Sequence, residues 1–233
     1  MARFQHLLSS LLLACSLLAG PAAAATLLGI VTERAAPTAL EAAHRHLDAQ
    51  PQDRILLRTP AQLMAANEHQ LKSWIGEADA ILAVSVFGDP ARRLKDALDR
   101  HARPQARLLA MNGEASLSLM SRGLDGPGSL ADFPPETLRQ LAQEKIPDSA
   151  LSAARNHPTA ARWLAARQLW QGWGADNTAA LFAHLLDARR PLPPPRPEPA
   201  LRVRQEKQEL SDARAWTAGR TLGLTAAPTT VVL

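Results

Sequence analysis

The stretch that most restricts the fold is Asp79 to Asp89, which reads Asp-Ala-Ile-Leu-Ala-Val-Ser-Val-Phe-Gly-Asp. From Ala80 to Val86 only Ser85 is polar, and polar and apolar residues do not alternate. A strand wet on one face alternates, so this run predicts a strand covered on both faces. It ends at Gly88, and Asp89-Pro90 then predicts an N-cap followed by the first turn of a helix. This is the pattern of a central parallel strand that feeds a crossover helix.

The same pattern recurs on either side. Thr26 to Thr32 predicts a first strand, and Pro37 to Ala49 a helix with Leu40, Ala43 and Leu47 facing inward. Arg54 to Arg58 predicts a second strand. Thr59-Pro60 then opens one helix carrying Leu63, Met64, Leu71, Trp74 and Ile75. A basic helix from Pro90 to about His101 turns Leu94 and Leu98 inward, and Arg107 to Met111 is a fourth strand ended by Asn112-Gly113. Four strands alternating with helices predict an α/β fold with an open, mostly parallel sheet, a flavodoxin- or Rossmann-like half, and right-handed crossovers.

Beyond residue 115 the character changes. Ser116 to Leu124 predicts a short helix, and 123–135 a loop rich in glycine and proline. A helical segment follows, with helices expected near 135–145, 148–156, 158–171 and 177–188. Six prolines fall between Pro191 and Pro199, which predicts a semi-rigid extended linker. Leu201 to Arg204 is a candidate short strand, and Pro228 to Leu233 is a further apolar run. The expected organisation is a leader over 1–25, an α/β domain over 26–115, a helical segment over 116–190 and a linker over 191–200. Residues 201–233 would begin a further domain.

The leader reading rests on Arg3, the apolar run Leu7 to Leu18, the break at Gly20-Pro21 and the small residues Ala22 to Ala25. Together they predict a secretory signal cut near Ala24 or Ala25, and hence a periplasmic or secreted protein without a membrane span in the processed chain. Cys15, the only cysteine among 233 residues, sits in the loose lipobox Leu12-Leu13-Ala14-Cys15, but Leu13 fits that motif poorly. Removal of the leader excludes disulfides and thiolate metal sites. A net charge of +4 with acids interspersed throughout, and only 4% aromatic residues with no tyrosine, argue against nucleic-acid binding.

The segment Trp163 to Leu186 reads Trp-Leu-Ala-Ala-Arg-Gln-Leu-Trp-Gln-Gly-Trp-Gly-Ala-Asp-Asn-Thr-Ala-Ala-Leu-Phe-Ala-His-Leu-Leu. With Asp79-Ala80, Gly172, Gly174 and Asp176-Asn177, it resembles the amino-terminal region of the large subunit of cobalt and magnesium chelatases, the CobN and H-subunit family. That resemblance implies a part in ATP-dependent insertion of a divalent metal, cobalt for cobalamin-type biosynthesis, into a tetrapyrrole. ATP would be hydrolysed by partner chelatase subunits, since no Gly-x-x-x-x-Gly-Lys loop is present. The leader and the short length depart from the family, and no complete active site is expected in this chain. A free-standing periplasmic tetrapyrrole- or metal-binding or scaffold module is the alternative.

In open α/β sheets ligands sit at the carboxyl ends of the strands. This places Glu33, Arg34, Arg58, Asp89 and Glu114 as candidate ligand-binding residues, with the arginines suited to the carboxylates of a tetrapyrrole. His184, which interrupts an apolar helical stripe, is a candidate axial ligand to the metal of such a ring. No His-x-x-x-His pair exists, so no protein metal site is expected. Gly172, Gly174, Asp176 and Asn177 are expected to form a helix–helix connection, glycine closing one helix and Asp176 or Asn177 capping the next. Trp163, Trp170 and Trp173 would share one packing face.

Overall fold

A computed structural model describes residues 24–124, 126–196, 203–205, 208–210 and 229–231. Four strands form one parallel sheet: β1 (Thr26–Ile30), β2 (Arg54–Arg58), β3 (Ala80–Val84) and β4 (Arg107–Met111). Their spatial order is β2-β1-β3-β4, with Leu27 opposite both Ile55 and Ala80, and Leu82 opposite Leu109. The expected α/β fold with an open parallel sheet is what the chain adopts, and all five residues of β3 are buried.

The doubly apolar strands read out as two cores. Leu28, Ile30, Ile81, Ala83, Leu108 and Ala110 face one side. There they meet Leu63 of α2 (Pro60–Ala65), Leu71 and Ile75 of α3 (Glu68–Glu77), and Leu94 and Leu98 of α4 (Gly88–His101). Leu27, Val31, Leu82, Val84, Leu109 and Met111 face the other side, against α1 (Ala36–Ala49) and the late helices α8 (Pro158–Gln171) and α9 (Gly174–Leu186). The chain moves one way from β1 to β2 and the other way from β2 through β3 to β4. The crossover helices change face accordingly, as a constant handedness requires.

Of the linking helices, α5 (Ala115–Ser118) adds Leu117 to the first core, and α6 (Pro135–Leu141) and α7 (Asp148–Arg155) add Leu138, Leu141, Ala150 and Ala154 to the second. The 116–190 segment therefore closes the face of the sheet that the first four strands leave half bare. Its attachment to β4 is partly polar. Leu108 and Arg122 exchange backbone hydrogen bonds of 2.9 and 2.8 Å, the Trp163 indole donates to the Ala110 carbonyl at 2.8 Å, and Arg107 Nη1 donates to the Leu185 carbonyl at 2.5 Å. Together these cover an edge strand whose backbone groups would otherwise invite another chain.

Several local expectations are corrected. The single helix after Thr59 is two, because Asn67 and Gln70 form a second capping box behind the first, made by Thr59 and Gln62. Helix α4 starts at Gly88 with no side-chain cap, and Asp89 lies in its first turn. On α1 the inward stripe is Ala39, Ala42, Ala43 and His46, not the expected Leu40, which is 52% exposed.

The helix–helix connection also differs from expectation. Gly172 has φ −64°, whereas Trp173 (φ 52°) and Gly174 (φ 82°) take the left-handed conformation. Trp173 leaves the helix and is 43% exposed, so only Trp163 and Trp170 share the buried face. Asn177 does not cap. Its amide donates to the Trp173 carbonyl at 2.7 Å and the Arg196 carbonyl at 2.9 Å, and its Oδ1 accepts from the Arg196 N–H at 2.9 Å. A Cβ at Gly172 would lie 2.9 Å from Pro195, so glycine is what lets this proline segment approach. Over 191–196 the linker is docked on the molecule. Asp176 pairs with Arg45 of α1.

Near the C-terminus, β5 (Val203–Gln205), β6 (Gln208–Leu210) and β7 (Thr229–Val231) form a separate antiparallel sheet in the order β6-β5-β7. The leader, Cys15, residues 197–200 and the ends of the run to Leu233 lie outside the described residues. Among the described residues, no helix is long and apolar enough to cross a membrane.

Candidate functional site

The direction of the chain reverses between β1 and β3, so the carboxyl ends of those strands and of β4 border the crevice where such sheets take ligands. The backbone there is unusual. Ser85, directly after β3, has φ 56°, and Asn112, directly after β4, has φ 53°. Left-handed conformations cost a non-glycine residue of order 1–3 kcal/mol and persist where the surroundings over-determine them.

The surroundings are a close lattice of backbone bonds. The Ser85 N–H donates to the Met111 carbonyl at 3.1 Å, and the Glu114 N–H donates to the Val86 carbonyl at 3.1 Å. Gly113 passes so near that a Cβ there would sit 2.6 Å from the Val86 oxygen. Glu114 Oε1 then accepts the Gly88 N–H at 3.2 Å, placing a carboxylate at the N-terminus of α4. This is favourable against the helix dipole, and it fills the place a phosphate would take. Asp89, exposed in the same turn, pairs with Arg92.

The remaining candidates lie elsewhere. Glu33 and Arg34 are exposed in the turn after β1. Arg58 ends β2, opposite Ile30, and the Val31 N–H donates to its carbonyl at 2.9 Å, so the two arginine-bearing strand ends adjoin. Its Nη1 donates to the Leu57 carbonyl at 2.7 Å, and its guanidinium stacks 4.7 Å from the centroid of Trp74. Arg58, Gln62, Ala65, Ala66, Gln70 and Trp74 line an open groove of about 440 Å³. The edge is thus divided: Arg34 and Arg58, with the exposed carboxylate of Glu33, stand at the β1 and β2 ends, and carboxylates that already have partners stand at the β3 and β4 ends.

His184 is not at this edge. It is 3% exposed on α9, its Nδ1 lies 2.6 Å from the Arg190 carbonyl, and Nε2 is buried without a hydrogen-bond partner. The imidazole proposed as an axial ligand is thus buried in the helical layer rather than open at the surface. Among the described residues, no three His, Cys, Asp or Glu side chains come together as a metal site.

Sequence reading missed Arg167. It is 4% exposed, donates from Nε to Asn112 Oδ1 at 3.0 Å and from Nη1 to Gln171 Oε1 at 3.1 Å, and also donates to the Ala142 carbonyl. Burial lowers its pKa from the ordinary arginine range. By holding the Asn112 side chain, Arg167 ties α8 to the strained turn of β4. The available signal was a lone charge at i+4 from Trp163 and i−3 from Trp170, on what the tryptophans mark as a buried stripe.

Comparison with protein-family models finds no match, and comparison with curated proteins finds none either.

Proposed function

We propose that this chain is a non-catalytic module of a CobN-like metal chelatase, working outside the inner membrane, whose arginine-bearing sheet edge engages the carboxylates of a tetrapyrrole. The observation that carries the reading is the adjacency of the β1 and β2 ends. It puts Arg58 in the wall of an open groove with Trp74, and Arg34 in the exposed turn that follows the neighbouring strand end. Guanidinium groups bind carboxylates through paired charge-assisted hydrogen bonds, and an aromatic wall suits a flat ring. Metal insertion, and the ATP hydrolysis that drives it, belong in this reading to partner chelatase subunits.

The test is absorbance titration of the processed protein with haem, a metal-free porphyrin and a corrinoid. Saturable binding with a shifted Soret band, weakened by Arg58→Ala, is expected. Absence of binding to every ring removes the tetrapyrrole from the account. A second reading, a free-standing scaffold module, draws on the Pro191–Arg196 segment being docked through Asn177. It predicts a folded, ring-indifferent protein.

A further inference from the structure

The start of β1 is held by two carboxylates. The Ala25 N–H donates to Asp53 Oδ1 at 3.1 Å, and the Thr26 N–H donates to Asp79 Oδ2 at 2.8 Å. The two acids differ in their other partners. Asp79 is 41% exposed and already paired with Arg103 at 2.8 Å. Asp53 is 9% exposed, and among the described residues its one ionisable partner is His46, itself 4% exposed, with Nε2 lying 2.8 Å from Asp53 Oδ2. No arginine or lysine among the described residues pairs with Asp53. A carboxylate this deep is costly without a compensating cation.

Ala22-x-Ala24, directly before Ala25, has the small-x-small form that signal peptidases cleave. Cleavage after Ala24 converts the Ala25 N–H from a neutral amide to an α-ammonium, at the nitrogen already on Asp53. Water adds across the Ala24–Ala25 peptide bond, leaving a carboxylate on Ala24 and the ammonium on Ala25. The hydrogen bond becomes charge-assisted, roughly twice as strong as its neutral form. Cleavage one residue later would instead place the ammonium on Asp79, which Arg103 already neutralises, and leave Asp53 without a cation.

From this geometry we infer that Asp53, backed by His46, is a receptor for the new N-terminus of the processed chain, and that the first residue of that chain is Ala25. The inference rests on the secretory reading of the leader and is independent of any ring ligand. The full-length chain, expressed in a Gram-negative host and recovered from the periplasm, should give an intact mass and N-terminal sequence beginning at Ala25. A start at Thr26 or elsewhere overturns the assignment, and an uncleaved precursor overturns the secretory reading beneath it.

Thermal unfolding of the 25–233 chain then tests the ion pair itself. Adding one glycine before Ala25 keeps the N–H but moves the charge away. It should lower Tm by about 2–4 °C, the size expected for the loss of one modest interaction in a chain this long. In the Asp53→Asn protein, which keeps a hydrogen-bond acceptor, the same glycine should change Tm by less than half as much. Equal losses in both backgrounds contradict the pairing.

Discussion

The two faces of the sheet are built differently. The face covered by α2, α3 and α4 has an apolar centre, with Arg93 donating to the Ala66 carbonyl at its margin, and its ion pairs lie on the rim, as where Arg100 and His101 meet Glu68. The face covered by α1, α8 and α9 contains the buried polar residues His46, Thr159, Arg167, Asn177, Thr178 and His184. The first face is closed by helices each joined directly to a strand, so chain connectivity positions them. The second is closed partly by α1, joined directly to β1 and β2, and otherwise by helices arriving from some 50 residues away in sequence, whose seat is fixed by directional bonds from Trp163, Arg107 and Arg167. Hydrophobic burial alone does not specify such a register, whereas hydrogen bonds do.

Breaking that seat should have the largest effect. Trp163→Ala removes both a fully buried indole and its bond to Ala110, and should cost about 3–5 kcal/mol in denaturant unfolding. On the opposite face, Leu94→Ala should cost about 2–5 kcal/mol. The faces separate in hydrogen exchange: Trp163→Ala should expose the amides of α8 and α9 before those of α2 to α4, whereas Leu94→Ala should not. Next comes Arg167→Met, which leaves Asn112 Oδ1 and the Ala142 carbonyl unpaired and should cost about 1–3 kcal/mol. A gain in stability would show instead that the buried cation is a burden.

Asn177→Ala should cost about 1–2 kcal/mol. It should also make the bonds around Pro195 and Arg196 newly sensitive to limited proteolysis.

The smallest effect belongs to the rim. The carboxyl of Glu68 is held below its usual range, chiefly by the hydrogen bond from His101. A depressed carboxylate contributes stability above its unfolded pKa and loses it as pH falls through the folded one. Glu68→Gln should therefore lower stability slightly at neutral pH and leave it unchanged below the folded pKa, so that the acid limb of the stability profile flattens slightly. A shift in the acid limb as large as that of a buried group would contradict the distinction between rim and interior.

What could be read in the sequence follows the same division. The ranges of β2, β4 and α8 are those expected from composition and proline placement, because local signals decide them. The break at Ala66-Asn67 carried a legible capping box that a continuous apolar stripe obscured. The roles of Arg167 and Asn177 depend on Asn112 and Arg196, 55 and 19 residues away, and no local spacing encodes those pairings. Of the candidate site, the strand-end positions of Arg34, Arg58, Asp89 and Glu114 were legible from the strand boundaries. The engagement of both acids, by Arg92 and by the Gly88 N–H, was not.

The division of the sheet edge is the central functional claim, and ring titration of paired variants tests it most directly. With Arg34→Ala and Arg58→Ala combined, haem affinity should fall tenfold or more, the size of one or two lost hydrogen bonds to a charged group. Glu114→Gln, which retains an acceptor for Gly88, should leave it unchanged. If the arginine pair has no effect while Glu114→Gln alters binding, the ring lies at the β3 and β4 ends and the assignment of the arginine side is wrong.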